Sequence, residues 1–135
     1  EETMLRDFWH KISTFTGVFV SFNGQKFDCP YIVRRSMLYQ IEPSNRDFLK
    51  YMAYNPLPEH FDVMLGISGR DGYISLEEAC HFFGVLSPKD GDIAADGVRD
   101  AFYAGDWEKI KSYCERDLKS THDVYQKMRK YVIQK

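Results

Sequence analysis

The chain has 135 residues, enough for one domain with a sizeable core, and its 44% apolar and 16% aromatic content excludes intrinsic disorder. A net charge of −2 excludes a simple basic DNA-coating protein, though not a nuclease whose acidic metal site lowers the count. Cys29, Cys80 and Cys114 are scattered without Cys-x-x-Cys spacing, which suits reduced thiols and a cytoplasmic setting. No apolar run approaches the roughly 18 residues of a membrane span.

Met4, Leu5, Phe8, Trp9 and Ile12 recur at helical spacing, which predicts an amphipathic helix over residues 2–13. The chain opens directly on this helix without an initiator Met, an opening expected of a segment that begins partway through a domain. Residues 17–22, rich in Val and Phe and bounded by Gly17 and Gly24, predict a buried strand. The strand stops at Asn23-Gly24 and runs into a helix over residues 29–40 opened by Asp28 and Pro30, where a missing N–H costs nothing. Ser44 is placed to cap a segment carrying Phe48, Leu49 and Met52, and Asn55-Pro56-Leu57-Pro58 reads as a loop. Residues 61–67 fit either a short strand or an irregular edge.

Ser75 with Glu78 forms a capping-box pattern for a helix to Phe83, closed by Gly84. Residues 97–104 form a short helix ending at Gly105. Asp106 then caps a long helix over 107–132, with Ile110, Tyr113, Cys114, Val124 and Met128 on its inner stripe. The whole reads as one helix-rich unit over 1–135. A single sure strand is too apolar to stand alone, so its partner is expected upstream, or in a second copy pairing along 17–22 as a homodimer.

Two patterns carry chemistry. Asp28 stands at the carboxyl end of a strand where a helix begins. It suits a metal-holding carboxylate, or equally a plain helix cap accepting backbone N–H groups. Tyr113 and Asp117, four residues apart on a helix, share one face. They suit a water-orienting hydroxyl with a cation ligand, or equally a core Tyr beside a solvated Asp. Lys26, Arg34, Arg35 and Lys89 are candidate phosphate contacts, and Phe22, Phe27 and Tyr31 candidate stacking partners; each also fits a solvated face or an ordinary core. Residues 67–78 match half of a calcium-binding EF-hand loop, with Asp71, Gly72 and Glu78 in place, but Ile67 and Gly69 offer no side-chain oxygen.

Taken together and in order, FNGQKFDCPYIVRR, SLEEACHFFGVLSPK and DGVRDAFYAGDWEKIKSYCERDLKSTHDVY resemble the DEDD 3′–5′ exonucleases. The chain is more closely similar to the predicted exonucleases related to the proofreading domain of family-B DNA polymerases. The family's second motif matches Asn23, Phe27 and Asp28. Its third, Tyr-x-x-x-Asp, matches Tyr113 and Asp117, followed by Thr121 and Tyr125. The resemblance indicates the tyrosine subclass, since no His has an Asp five residues later.

The resemblance implies an α/β, ribonuclease-H-like fold, here truncated at the N-terminus, mostly helical and with one or two strands. It implies catalytic Asp28, Tyr113 and Asp117, with Mg²⁺ or Mn²⁺ held by Asp28 and Asp117. It also implies contact with the 3′ end of single-stranded nucleic acid through residues such as Phe22, Asn23, Phe27, Arg34 and Lys89. The family's first motif, Asp-x-Glu on the leading strand, has no counterpart before Asp28; Glu1-Glu2-Thr3 echoes only its ending. The parent is therefore expected to be a metal-dependent 3′–5′ exonuclease and this chain to turn over little. A non-catalytic nucleic-acid-binding or structural remnant, and a calcium-binding helical module, stand as the alternatives.

Overall fold

The computed structural model describes residues 1–53, 59–88 and 97–132, and its contacts group into two compact units, Glu1–Gly72 and Tyr73–Lys135. Both are rich in helix, and a two-stranded parallel sheet lies in the first.

The first unit begins with α1 (Glu2–Ile12), whose spacing buries Leu5 and Trp9. Strand β1 (Phe19–Ser21) leads to α2 (Asp28–Leu38), which buries Cys29, Val33 and Ser36. The two helices pack together, and the Trp9 indole N–H donates to Ser36 Oγ at 2.8 Å. A 3₁₀ helix (Phe48–Met52) adds Phe48 and Tyr51 to the same core. Phe8, Trp9 and Phe48 meet edge to face, the arrangement that ring quadrupoles favour.

Residues 61–67 resolve into two elements, since a fully buried strand β2 (His60–Asp62) is followed at once by α3 (Val63–Ser68). Strand β2 runs parallel to β1, with Phe19 opposite His60, Val20 opposite Phe61 and Ser21 opposite Asp62. A partner for the strand at 17–22 thus comes from inside the chain, after the long crossover that parallel pairing requires. The capping expectation at Ser44 is corrected. Ser44 Oγ donates to Trp9 O, and Asn45 Oδ1 instead accepts from the N–H groups of Asp47 and Phe48. The Asn45 amide also donates to Ile12 O and Phe15 O.

The second unit opens with α4 (Leu76–Phe83). Its capping box forms as the sequence predicts, and Gly84 closes it in the left-handed conformation at φ 63°. Helices α5 (Gly97–Ala104) and α4 both pack on α6 (Trp107–Val132). Helix α6 starts with Asp106 accepting from Lys109 N–H. It buries Ser120, Thr121, Val124, Tyr125 and Met128, whereas Cys114, expected on the inner stripe, is exposed. Helical angle does not account for this, since Cys114 lies seven residues before the buried Thr121 and on nearly the same face.

Candidate active site

The first group of candidate residues lies in the connection from β1 to α2. Asn23 sits in the left-handed region at φ 59°, a conformation Asn tolerates better than most residues. Gly24 follows because nothing larger fits: a Cβ there would stand 2.4 Å from Ser21 Cβ and 2.6 Å from its Oγ. Asp28 is the first residue of α2, and Phe27 takes the N-cap position with no side-chain cap bond. Partial loss of water pushes the Asp28 carboxyl pKa up. A hydrogen bond from its own backbone N–H opposes that shift, and the negative charge of Asp62 adds to it.

Asp62 is the residue that the sequence reading missed. It is 0% exposed and ends β2 opposite Ser21. Its Oδ1 accepts from Asn23 N–H at 2.9 Å and Leu65 N–H at 3.3 Å, and its Oδ2 accepts from Gln25 N–H at 2.9 Å. The signal for it was present in His60-Phe61-Asp62-Val63, a short apolar strand ending in a good N-cap residue.

Beneath Asp28, Cys29 Sγ lies 3.5 Å from His60 Nε2, and His60 Nδ1 lies 2.8 Å from Phe48 O. Burial pushes the Cys29 thiol up to about 12, with the charges of Asp28 and Asp62 adding to it. Burial also pulls the His60 pKa down, against the opposing effects of the Phe48 carbonyl and Asp62. The pair is thus a neutral imidazole donating from Nδ1 and a thiol donating to Nε2, which makes Cys29 a packing residue rather than a nucleophile.

A second group of candidate residues lies on α6. Tyr113 and Asp117 are both half-buried and share a hydrogen bond. Burial raises the Asp117 carboxyl, while the Tyr113 bond and then the Arg116 charge oppose the rise. Burial raises the Tyr113 phenol, and the neighbouring Asp117 carboxylate raises it further. In their shared bond the Tyr113 hydroxyl donates and the Asp117 carboxylate accepts. Asp28 belongs to the first unit, and Tyr113 and Asp117 to the second.

Of the candidate nucleic-acid contacts, Phe27 is 70% and Tyr31 59% exposed, while Phe22 is half-buried just past β1. Arg34 is exposed, and its Nε donates to Pro30 O at 3.1 Å. Arg35 is not free for phosphate, because both arms of its guanidinium engage Glu1. Lys26 Nζ donates to Arg70 O at 2.7 Å. Lys89 lies outside the described residues. In the half EF-hand pattern, Ile67 lies within α3 and the Glu78 carboxylate is committed to the N–H and hydroxyl of Ser75.

Ser21 Oγ, Asn23 Oδ1 and Gln25 Nε2 are buried with no hydrogen-bond partner among the described residues. Within the first unit, their two oxygens and the Asp28 carboxylate match in kind the donors a hard divalent cation takes. Among the described residues no three His, Cys, Asp or Glu side chains converge on one point. Nor is any helix among them long and apolar enough to cross a membrane.

Comparison with known families matches residues 1–133 to a model described as a predicted 3′–5′ exonuclease related to the exonuclease domain of PolB. No curated protein matches the chain, and no solved structure does.

Proposed function

The chain belongs to the family of predicted 3′–5′ exonucleases related to the exonuclease domain of PolB. On that premise we propose that the protein hydrolyses phosphodiester bonds from the 3′ end of single-stranded nucleic acid, on a ribonuclease-H-like fold. The observation that carries this reading is the family match across residues 1–133; Asp28, Tyr113 and Asp117 are the residues we assign to the chemistry, from the Asn-x-x-x-Phe-Asp and Tyr-x-x-x-Asp patterns in the sequence.

Asp28 and Asp117 would hold Mg²⁺ or Mn²⁺. Such ions, when bound, supply an activated water and neutralise charge on the phosphate. Tyr113, already bonded to Asp117, would orient the attacking water. Phe27 would stack on a terminal base, and Phe22, Asn23, Arg34 and Lys89 are the further contacts we assign to the strand. A second copy pairing along 17–22 would use the edge of β1 away from β2.

Residues 1–27 contain no Asp-x-Glu, so two carboxylates remain without the pair that grips the ions in the family's first motif. The 135-residue chain is accordingly expected to bind Mn²⁺ weakly and to turn over little. The test uses a 5′-labelled single strand of DNA or RNA with Mn²⁺ or Mg²⁺. If an Asp-x-Glu strand precedes residue 1 in the natural protein, that protein should shorten the strand from its 3′ end, and Asp28→Asn or Asp117→Asn should reduce this to background. Degradation unaffected by both substitutions would sink the reading. Tight strand binding without shortening would select the non-catalytic remnant instead.

A further inference from the structure

The connection from β1 to α2 has no regular element of its own, so its backbone N–H groups need other acceptors. Lys26 and Phe27 use Asn23 O at 3.3 and 3.1 Å, and Cys29 uses Gly24 O at 2.9 Å. Asn23 and Gln25 instead donate to Asp62, one to each carboxylate oxygen, both at 2.9 Å. With Asn23 left-handed, alternate N–H groups converge on a negative charge, as in the backbone cradles that bind anions. The anion here is a side chain carried by the neighbouring strand, and the Ser21–Asp62 register sets it beside the end of β1.

We infer that Asp62 is a positioning residue for the candidate site: it clamps the Asn23–Gln25 loop to the sheet and so sets where Asp28 enters α2. It is no ligand itself, since it is fully buried and three N–H groups occupy its oxygens. The charge and the second oxygen both matter. Asn would offer one acceptor where two are used, and Ser would reach only the cap of α3. The inference rests on the reading of Asp28 as a site residue, yet its test needs no turnover.

Amide hydrogen exchange, with the Cα and Cβ resonances of Asp28, reads the clamp directly in the full chain. Asp62→Ser keeps an acceptor for Leu65 N–H and loses the loop. Exchange at Asn23 and Gln25 should quicken about 10-fold or more, the equivalent of a charge-assisted hydrogen bond. Leu65 should stay protected and the Asp28 resonances should move. Asp62→Asn should restore one of the two amides, which a role confined to capping α3 would not predict. Gln25→Pro deletes one donor while leaving Asp62 in place, and serves if the Ser variant fails to fold; it should shift Asp28 without exposing Leu65. Unchanged exchange at both amides, or a loosened loop with Asp28 unmoved, overturns the inference. These changes in a protein that never shortens a strand would uphold the clamp and remove only the exonuclease reading.

Discussion

Cys29 Sγ and His60 Nε2 meet at 3.5 Å inside the first unit, with the opposite ring nitrogen of His60 on Phe48 O. Around them stand the rings of Phe19, Phe48 and Tyr51, so a charged imidazolium would have no water. Burial depresses the His60 pKa below its ordinary 6.5. The unfolded chain therefore takes up a proton that the folded chain refuses. His60's contribution is whole above pH about 6.5 and is lost as pH falls toward the depressed value, at no more than about 1.4 kcal/mol per unit for one proton. Urea midpoints between pH 7.5 and 5.5 should show this slope, and His60→Gln should flatten it. An unchanged slope in the variant would assign the effect elsewhere.

The Trp9–Ser36 bond joins α1 to α2 inside the core. Ser36→Ala leaves the indole N–H buried and unpaired, and should cost about 1–3 kcal/mol. Because Ser36 Oγ also donates to Ile32 O, an acceptor within its own helix, the loss falls mainly on the interface between the helices. Thermal unfolding followed by Trp fluorescence measures it. A loss within experimental error would mean that the indole finds another acceptor.

Gly24 is required by contact, since an added Cβ would collide with Ser21. Gly24→Ala should destabilise by about 1–3 kcal/mol, the usual range for overpacking. Ser21→Gly removes the atoms it meets, so the double variant should recover most of that loss in a double-mutant cycle. Additive losses would place the strain elsewhere in the loop.

Tyr113 holds Asp117 toward its charged form against burial. Tyr113→Phe removes that donor, and the Asp117 carboxyl should titrate at a higher pH than in the parent chain. Carbon NMR of the labelled carboxyl decides the sign. A fall or no change would mean that the hydroxyl does not donate to Asp117 in solution.

Local rules read the second unit well. The Ser75–Glu78 capping box, Gly84, Gly105 and Asp106 each depend on neighbours within four residues, and all are found where the pattern puts them. The exposure of Cys114 marks the limit: it shares the helix face of buried Thr121 and Tyr125, and periodicity gives the face of a helix but not how far along it neighbours cover that face. The first unit was legible in its helices and in the position of β1. Ser44 and Asn45 were equally good caps by type, and only the carbonyls of Ile12 and Phe15, some thirty residues earlier, select Asn45.

By itself the sequence determined the helical character, the strand that ends at Asn23-Gly24, the placement of Asp28 at the start of α2 and of Tyr113 and Asp117 on one helix face, and the motif order that marks the family. These follow from spacing, which the chain carries locally. Only the tertiary structure decided that His60–Asp62 pairs parallel with β1, that Cys29 is locked against a neutral His60, and that Asp62 receives the loop leading to Asp28. Those relationships join residues some thirty to forty positions apart. No local periodicity encodes them; they exist because burying a strand beside β1 brings a carboxylate to backbone N–H groups that would otherwise lack acceptors.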